Sequence, residues 1–408
     1  MDLTTSATFA LLVFLATTAF AEGFLKAQGS KLTLGGREYR AIGVNIPHLS
    51  HGYLGTWFHW KQIYGTQEKM RQSIVDAVQD AEKHKVAFVR FFASPGYPKD
   101  AAELYLKDAD EYWRRMDELF ALCRKHNLKL IPSLGVLSKW SPPFDEFQTA
   151  VLDPKSKTYE ATYRYVREFV TRYKDDPTVL MWELQNEAFL RADVNMKDRP
   201  GLPKGVYPEG AENVREKFAF EDSLRFDMLV KLYKDMTTFI KSLDPNHLVT
   251  SGDSGPREES QCRRETFPNF KWRDDTVREH LSNLLESQPE PLDVFSIHTS
   301  GNFTTTRKVG KLPHLEFLRV RVRAIHASLS PAFVGELGQT QPGFPQDPEA
   351  KWTRAAIDLL DEEGAALIAL WVWHFPWQDK DFNIPNGASQ PLLMKRVAEF
   401  NTRHAGKR

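Results

Sequence analysis

Eight short apolar runs, each separated from the next by an amphipathic stretch, constrain this chain more than any other feature. They are Arg40–Asn45, Val86–Phe92, Leu128–Leu134, Val179–Leu184, Leu248–Ser251, Asp293–His298, Ala332–Glu336 and Ala366–Trp373. Several are apolar at nearly every position, the pattern of parallel strands covered on both faces. Between them, Met70, Ile74, Val78 and Ala81 recur every three to four residues, as do Tyr159, Tyr163, Val166, Val170 and Tyr173, so helices are predicted there. Strand and helix alternating eight times predict an α/β fold, a (β/α)8 TIM barrel. A doubly wound open sheet is the competing architecture, but it would not by itself bring the fourth and seventh strands together. Phe24–Tyr39, with Gly35-Gly36 as its turn, reads as a hairpin placed to plug the barrel bottom. No low-complexity linker interrupts the chain, so residues 22–408 are read as one domain. Loop insertions are expected after strands four and five, at Asp198–Gly210 and Asp253–Trp272, on the face where barrels build their sites.

Composition narrows the function. Lys plus Arg and Asp plus Glu number 54 each, so no net field favours nucleic acid or an anionic membrane. No Gly-rich loop of the GxxxxGK type offers a phosphate cradle, and no cofactor is implied. The 10 Trp exceed what a core usually requires, and aromatic faces suit stacking on sugar rings. Phe9 to Phe20 is mostly apolar and Ala19-Phe20-Ala21 gives a small-x-small cleavage pattern, so residues 1–21 read as a secretory signal and the protein as exported. Against this, the segment lacks Lys and Arg and carries Asp2. Cys123 falls on an apolar helical stripe with Trp113, Met116 and Phe120, the setting of a buried free thiol. Asn302-Phe303-Thr304 is a glycosylation sequon, meaningful in a eukaryotic secretory host. His48, His51 and His59 cluster after strand one without metal-ligand spacing, so no metal is expected.

Two strands end by presenting a glutamate: Val179-Leu180-Met181-Trp182-Glu183-Leu184-Gln185-Asn186-Glu187 and Ala332-Phe333-Val334-Gly335-Glu336. A carboxylate at the mouth of a buried strand is costly unless it is partnered or has work to do. Two of them assembled by the fold are the minimum equipment for cutting a glycosidic bond. In that chemistry one carboxylic acid protonates the leaving oxygen and needs a raised pKa, whereas the other stays ionised.

These residues, with Ala41-Ile42-Gly43-Val44-Asn45 and the run to Trp373, resemble glycoside hydrolase family 5, and the resemblance covers essentially the whole barrel. It implies Glu187 as acid/base and Glu336 as nucleophile of a retaining hydrolase. By the same similarity Arg90 lies beneath the nucleophile and Asn186 bonds the sugar 2-OH. His298 matches the histidine of the family's His-x-Tyr motif, but the tyrosine position holds Ser300, and no histidine closes strand three. Trp371 and Trp373 share one face of strand eight because side chains alternate; the family's sugar-floor tryptophan is expected at Trp373, nearer the strand end, with Trp371 packing below. Trp57, Trp60 and Trp140 are further candidate sugar platforms. The segment Trp182–Glu187 is similar to the Trp-Glu-Leu-x-Asn-Glu of β-mannanases, which tilts the substrate toward endo-β-1,4-mannan. A β-1,4-glucanase, an exo-glycosidase, or a catalytically silent carbohydrate-binding barrel are the other readings. The expected partner is a polysaccharide or oligosaccharide, with neither nucleic acid nor membrane, and a monomer is expected.

Overall fold

A computed structural model describes residues 23–56, 60–95, 99–137, 140–198, 218–338, 349–379 and 382–405. Its large sheet contains eight strands: β1 (Ala41–Asn45), β2 (Phe88–Phe92), β3 (Lys129–Ser133), β4 (Met181–Glu183), β5 (Leu248–Thr250), β6 (Phe295–Thr299), β7 (Ala332–Gly338) and β8 (Leu367–Trp371). Each lies within the run predicted for it or overlaps that run closely. All pair in parallel, in the order β5-β4-β3-β2-β1-β8-β7-β6. Because β8 pairs with β1, the sheet curls on itself and the open alternative falls away. The barrel predicted from the alternation is the fold observed.

The last seam, between β5 and β6, is short: one bridge pairs Thr250 with Val294, and the Asp293 and Val294 N–H groups donate to the Val249 carbonyl at 3.0 and 3.3 Å. Side chains complete it. The buried Gln288 amide accepts from the Ser251 hydroxyl at 2.8 Å and the Ser296 N–H at 2.7 Å, and donates to the Ser296 carbonyl at 2.9 Å. Asp293 accepts from the Val249 N–H at 2.8 Å, while Lys241 donates to both its oxygens. Gln288 thus supplies rungs that a longer strand would have supplied from its backbone.

The N-terminal segment folds as three short antiparallel strands, Lys26–Gln28, Lys31–Leu34 and Arg37–Glu38, rather than a single hairpin. It does plug the barrel: Leu25, Leu32 and Tyr39 pack in one buried cluster with Phe88, Ile131, Met181 and Phe333 from the strands. Helices cover the outside. On Gln67–Lys83 the predicted stripe Met70, Ile74, Val78 and Ala81 is buried, and Thr66 caps its start by accepting from the Lys69 N–H. On Lys157–Tyr173 the buried stripe runs through Thr162, Tyr165, Val166, Phe169 and Val170 instead of Tyr159 and Tyr163. Those two rings stack on each other, 3.9 Å between centroids. Cys123 and Cys262 are both buried and unpaired with each other.

The insertion Asp253–Trp272 follows β5 and contains the helix Ser260–Thr266. Most of Asp198–Gly210 lies outside the described residues, as do residues 1–22. No helix among the described residues is long and apolar enough to cross a membrane. The seam yields a stability test. Gln288→Ala strands the buried Ser296 N–H and carbonyl, so it is expected to lower unfolding free energy by about 2–4 kcal/mol, read by denaturant melts against wild type.

Candidate active site

Arg90 stands on β2 with its side chain inside the barrel and no solvent exposure. A buried guanidinium needs its donors met and its charge balanced. Nε and Nη2 donate to the two oxygens of Glu183 on β4 at 2.6 and 2.8 Å. Nη1 donates to Asn45 Oδ1 on β1 and Glu336 Oε1 on β7, both at 2.9 Å. Nη2 also donates to Asn186 Oδ1 at 2.7 Å. The register makes this possible, since Asn45 pairs with Arg90 across β1 and β2. Burial opposes the Arg90 charge, but Glu183 and Glu336 outweigh it and hold the group protonated.

Local backbone irregularity places the two strand-end glutamates. The register of β7 shifts between Val334 and Glu336, so Glu336 comes opposite His298 of β6. Gly335 sits at the shift. A Cβ there would lie 2.8 Å from His298 Nε2, and its carbonyl accepts from the Asn45 amide at 2.9 Å. Glu187 follows β4 in the left-handed region, φ 52° and ψ 41°, unusual for a residue with a Cβ. It is fixed there by its N–H to the Gly252 carbonyl at 3.1 Å, and by the next turn, where buried Asp253 accepts from the Phe189 N–H at 2.9 Å and the Tyr233 hydroxyl at 2.5 Å. Burial pushes the Asp253 carboxyl up to about 7, although both bonds pull the other way.

Glu187, His298 and Glu336 offer polar atoms that all lie within 4.8 Å of one another. His298 Nδ1 donates to Glu187 Oε1 at 3.0 Å and stands 3.6 Å from Glu336 Oε1. Among the described residues this is the one trio with metal-ligand spacing, but Arg90 already holds Glu336 Oε1 and would repel a cation. Two carboxylates this close titrate as a pair. Burial, reinforced by the Glu187 charge, pushes Glu336 up to about 6 against the pull of His298 and Arg90. Burial also acts on Glu187, yet the His298 hydrogen bond and charge, followed by Arg90 and Arg257, hold it below the usual range. This reverses the order expected from the sequence, because His298 donates to Glu187.

The structure brings together Arg90, Asn186, Glu187, His298 and Glu336, and Trp371 lines the same cavity of about 750 Å³. Two tryptophan expectations are corrected. Trp373 is wholly buried, its indole N–H donating to the Ala77 carbonyl at 3.1 Å, so it belongs to the core and not to the cleft. Strand β8 ends at Trp371, and the alternation used to pair the two rings does not continue past it. Trp371 faces the cleft instead, braced by Gln378 at 2.7 Å. Trp140 is also fully buried, packed against Tyr105 and Tyr165, so it offers no sugar platform. Trp57, His59 and the Trp60 side chain lie outside the described residues. His48 and His51 are core residues, lowered by burial to about 3 and 4. Ser300 lines the cavity, and the donor on Glu336 is Arg90. Sequence reasoning gave no role to Glu183 or Asn45. The signal was present: an acid inside an otherwise apolar strand needs a cation, and Arg90 is an arginine inside another.

No family model matches the chain. It is 38% identical over 96 residues to Probable mannan endo-1,4-beta-mannosidase C of Aspergillus terreus, covering 24% of this chain and 19% of that protein. To Mannan endo-1,4-beta-mannosidase 7 of Arabidopsis thaliana it is 24% identical over 269 residues, 60% of this chain and 52% of the relative. The chain thus spans about half the length of that relative, or less for the first. Mannan endo-1,4-beta-mannosidase 3 of Arabidopsis thaliana aligns over 88% of this chain and 83% of its own length at 22% identity. The solved endo-1,4-beta-mannanase of Rhizomucor miehei shares the fold with TM-score 0.62, at 16% identity over 92% of this chain and 99% of the other. A glycoside hydrolase family 5 mannosidase of the same organism gives 0.57 at 14% identity, over 93% and 97%. The solved structures share this chain's fold, and the curated proteins it resembles are named as mannan endo-1,4-beta-mannosidases.

Two tests follow from the charges. Arg90→Ala leaves Glu183 buried and unpaired, so a loss of roughly 3–5 kcal/mol is expected in chemical unfolding. Glu336 behaves differently. Its folded pKa lies above its unfolded one, so its ionisation costs stability: the penalty is absent below about pH 4.5 and complete above about 6. Glu336→Gln is therefore expected to stabilise the fold by about 2 kcal/mol at pH 7 and by nothing at pH 4, as followed by thermal melts at both.

Proposed function

We propose that the chain is a retaining glycoside hydrolase acting on β-linked mannan, by double displacement on Glu336 with Glu187 as acid/base. The observation that carries this reading is the carboxylate pair at the ends of β4 and β7. Their oxygens lie within 4.8 Å, too close to leave room for a water beside the sugar and near the separation of about 5 Å that goes with retention. Arg90 holds Glu336 Oε1 from below, and His298 reaches both carboxylates.

The reactive form of the pair carries its single proton on Glu187 and leaves Glu336 ionised against Arg90. Glu336 attacks the anomeric carbon while Glu187 gives its proton to the leaving oxygen. Glu187 then takes a proton from water, which releases the sugar from Glu336. His298, donating to Glu187, steadies it as a base in the second step. Asn186, fixed by Arg90 Nη2, is positioned to meet the sugar 2-OH. Trp371 supplies an aromatic wall to the cavity. Mannan is favoured over glucan by the Trp182–Glu187 segment and by the names of the curated relatives, which are mannan endo-1,4-beta-mannosidases. Endo action on a soluble polymer, export directed by residues 1–21 and a monomeric state complete the reading.

Reducing-sugar release from mannan, glucomannan and cellulose derivatives tests it. Wild type is expected to release sugar from the mannans, Glu336→Gln to release none, and Glu187→Gln to be slowed about 10²–10⁴-fold. An aryl mannoside with a good leaving group should restore the first step of Glu187→Gln but not of Glu336→Gln. Folded wild type that binds mannan without product would replace the hydrolase with a binding barrel. The pH profile gives a second check: the pair takes up its single proton as pH falls through about 6, so activity is expected to decline above that point, where both carboxylates are ionised. Glu187→Gln should lose the alkaline limb, and a limb that persists would overturn its role.

A further inference from the structure

On the side of the cavity formed by the loops after β5 and β6, the lining changes character. Arg257, Arg307, Lys308 and Arg321 all face the cavity that Glu187 and Glu336 line, against two acids, Glu258 and Glu259. Glu259 is taken by Arg263, at 2.9 Å. Glu258 pairs with Arg307 and accepts the Lys308 N–H at 2.6 Å. Glu258 thus serves Arg307, and Glu187 and Glu336 lie elsewhere on the cavity wall, so Lys308 and Arg321 are left with no carboxylate within ion-pair distance among the described residues.

Arg321 is the least ordinary of the four. It is 3% exposed, yet among the described residues no carboxylate comes within ion-pair distance. Its guanidinium donates only to carbonyls, of His298 at 3.1 Å and of Ser254, and its Nε meets no partner. Gly255 wraps the backbone so closely around it that a Cβ would stand 2.4 Å from Nη2. A cation buried without a counter-charge is costly, and that cost is relieved if an anion arrives. Arg307 and Arg321 both lie over the Phe317 ring, 5.3 and 5.2 Å from its centroid, which keeps the two heads apart and facing one space.

We propose that this lobe is a subsite for an anionic group carried by the glycan, a uronate carboxylate or a sulfate ester, next to the bond being cut. Arg307 and Lys308 would meet the oxyanion, with Arg321 behind them as fixed positive charge. Planar guanidinium forks suit either oxyanion. The proposal rests on the hydrolase reading for its sugar backbone and adds to it a charged substrate class.

The test is calorimetric titration of the full chain carrying Glu336→Gln with three β-1,4-linked mannan oligosaccharides of equal length. One is neutral, one bears a single uronate unit and one a single sulfate ester. Binding about tenfold tighter or more for an acidic probe is expected, shrinking as salt rises to about 0.5 M. The advantage should fall in Arg307→Gln and in Lys308→Gln. Lys308 is exposed, so its loss does not endanger the fold. The acidic probe that gains identifies the group. Equal or weaker binding of both acidic probes overturns the subsite, and if the unmutated chain still cuts the neutral probe, the hydrolase reading stands without it. Preferential acidic binding with no probe cut by the unmutated chain supports the subsite and removes the hydrolase.

Discussion

The site depends on one buried cation. Arg90 spends its donors on strands one, four and seven at once, through Asn45, Glu183 and Glu336, and on Asn186 just beyond strand four. Each of those acceptors would be costly to bury alone. Glu183 carries most of the structural share, because its two oxygens engage the guanidinium side by side. That leaves Nη1 to hold Glu336 without fully neutralising it. A nucleophile needs this balance: enough positive charge to be ionised when substrate arrives, too little to be quenched. A lone Arg90–Glu336 pair would bind the carboxylate more tightly and make it a poorer attacker.

Glu187 reaches the site by a different device. Its backbone occupies a conformation that its own side chain disfavours, and a hydrogen-bonded turn anchored on Asp253 and Tyr233 keeps it there. Both glutamates are therefore set by irregularities, a left-handed residue after strand four and a register shift in strand seven. Regular strands would have aimed them along the sheet rather than toward each other.

Much of this was legible in the sequence. The alternation of apolar runs and amphipathic helices is long and consistent, so the barrel could be read from it, and the two strand-end glutamates stood out because charge is rare in such runs. The details that failed share a cause. Trp373 and Trp140 are large apolar residues near strand ends, and no local pattern separates a ring that faces a sugar from one that faces a helix. The proton order of the carboxylates was missed because it turns on one contact, His298 with Glu187, between residues 111 positions apart. Glu183 was overlooked because its partner lies 93 positions away.

The short seam between strands five and six has a mechanical consequence. A hoop of eight staves has a buckle where a joint leans on side chains, as this one does on Gln288 and Asp293. Arg321 spans that buckle near its upper end, gripping the carbonyl of His298 within one stave and that of Ser254 beyond the other. The place where this barrel can most easily give is thus beneath the cationic side of its cleft, and whatever fills that side presses on the clasp. Breathing of the fold and occupancy of the cleft are joined at one arginine.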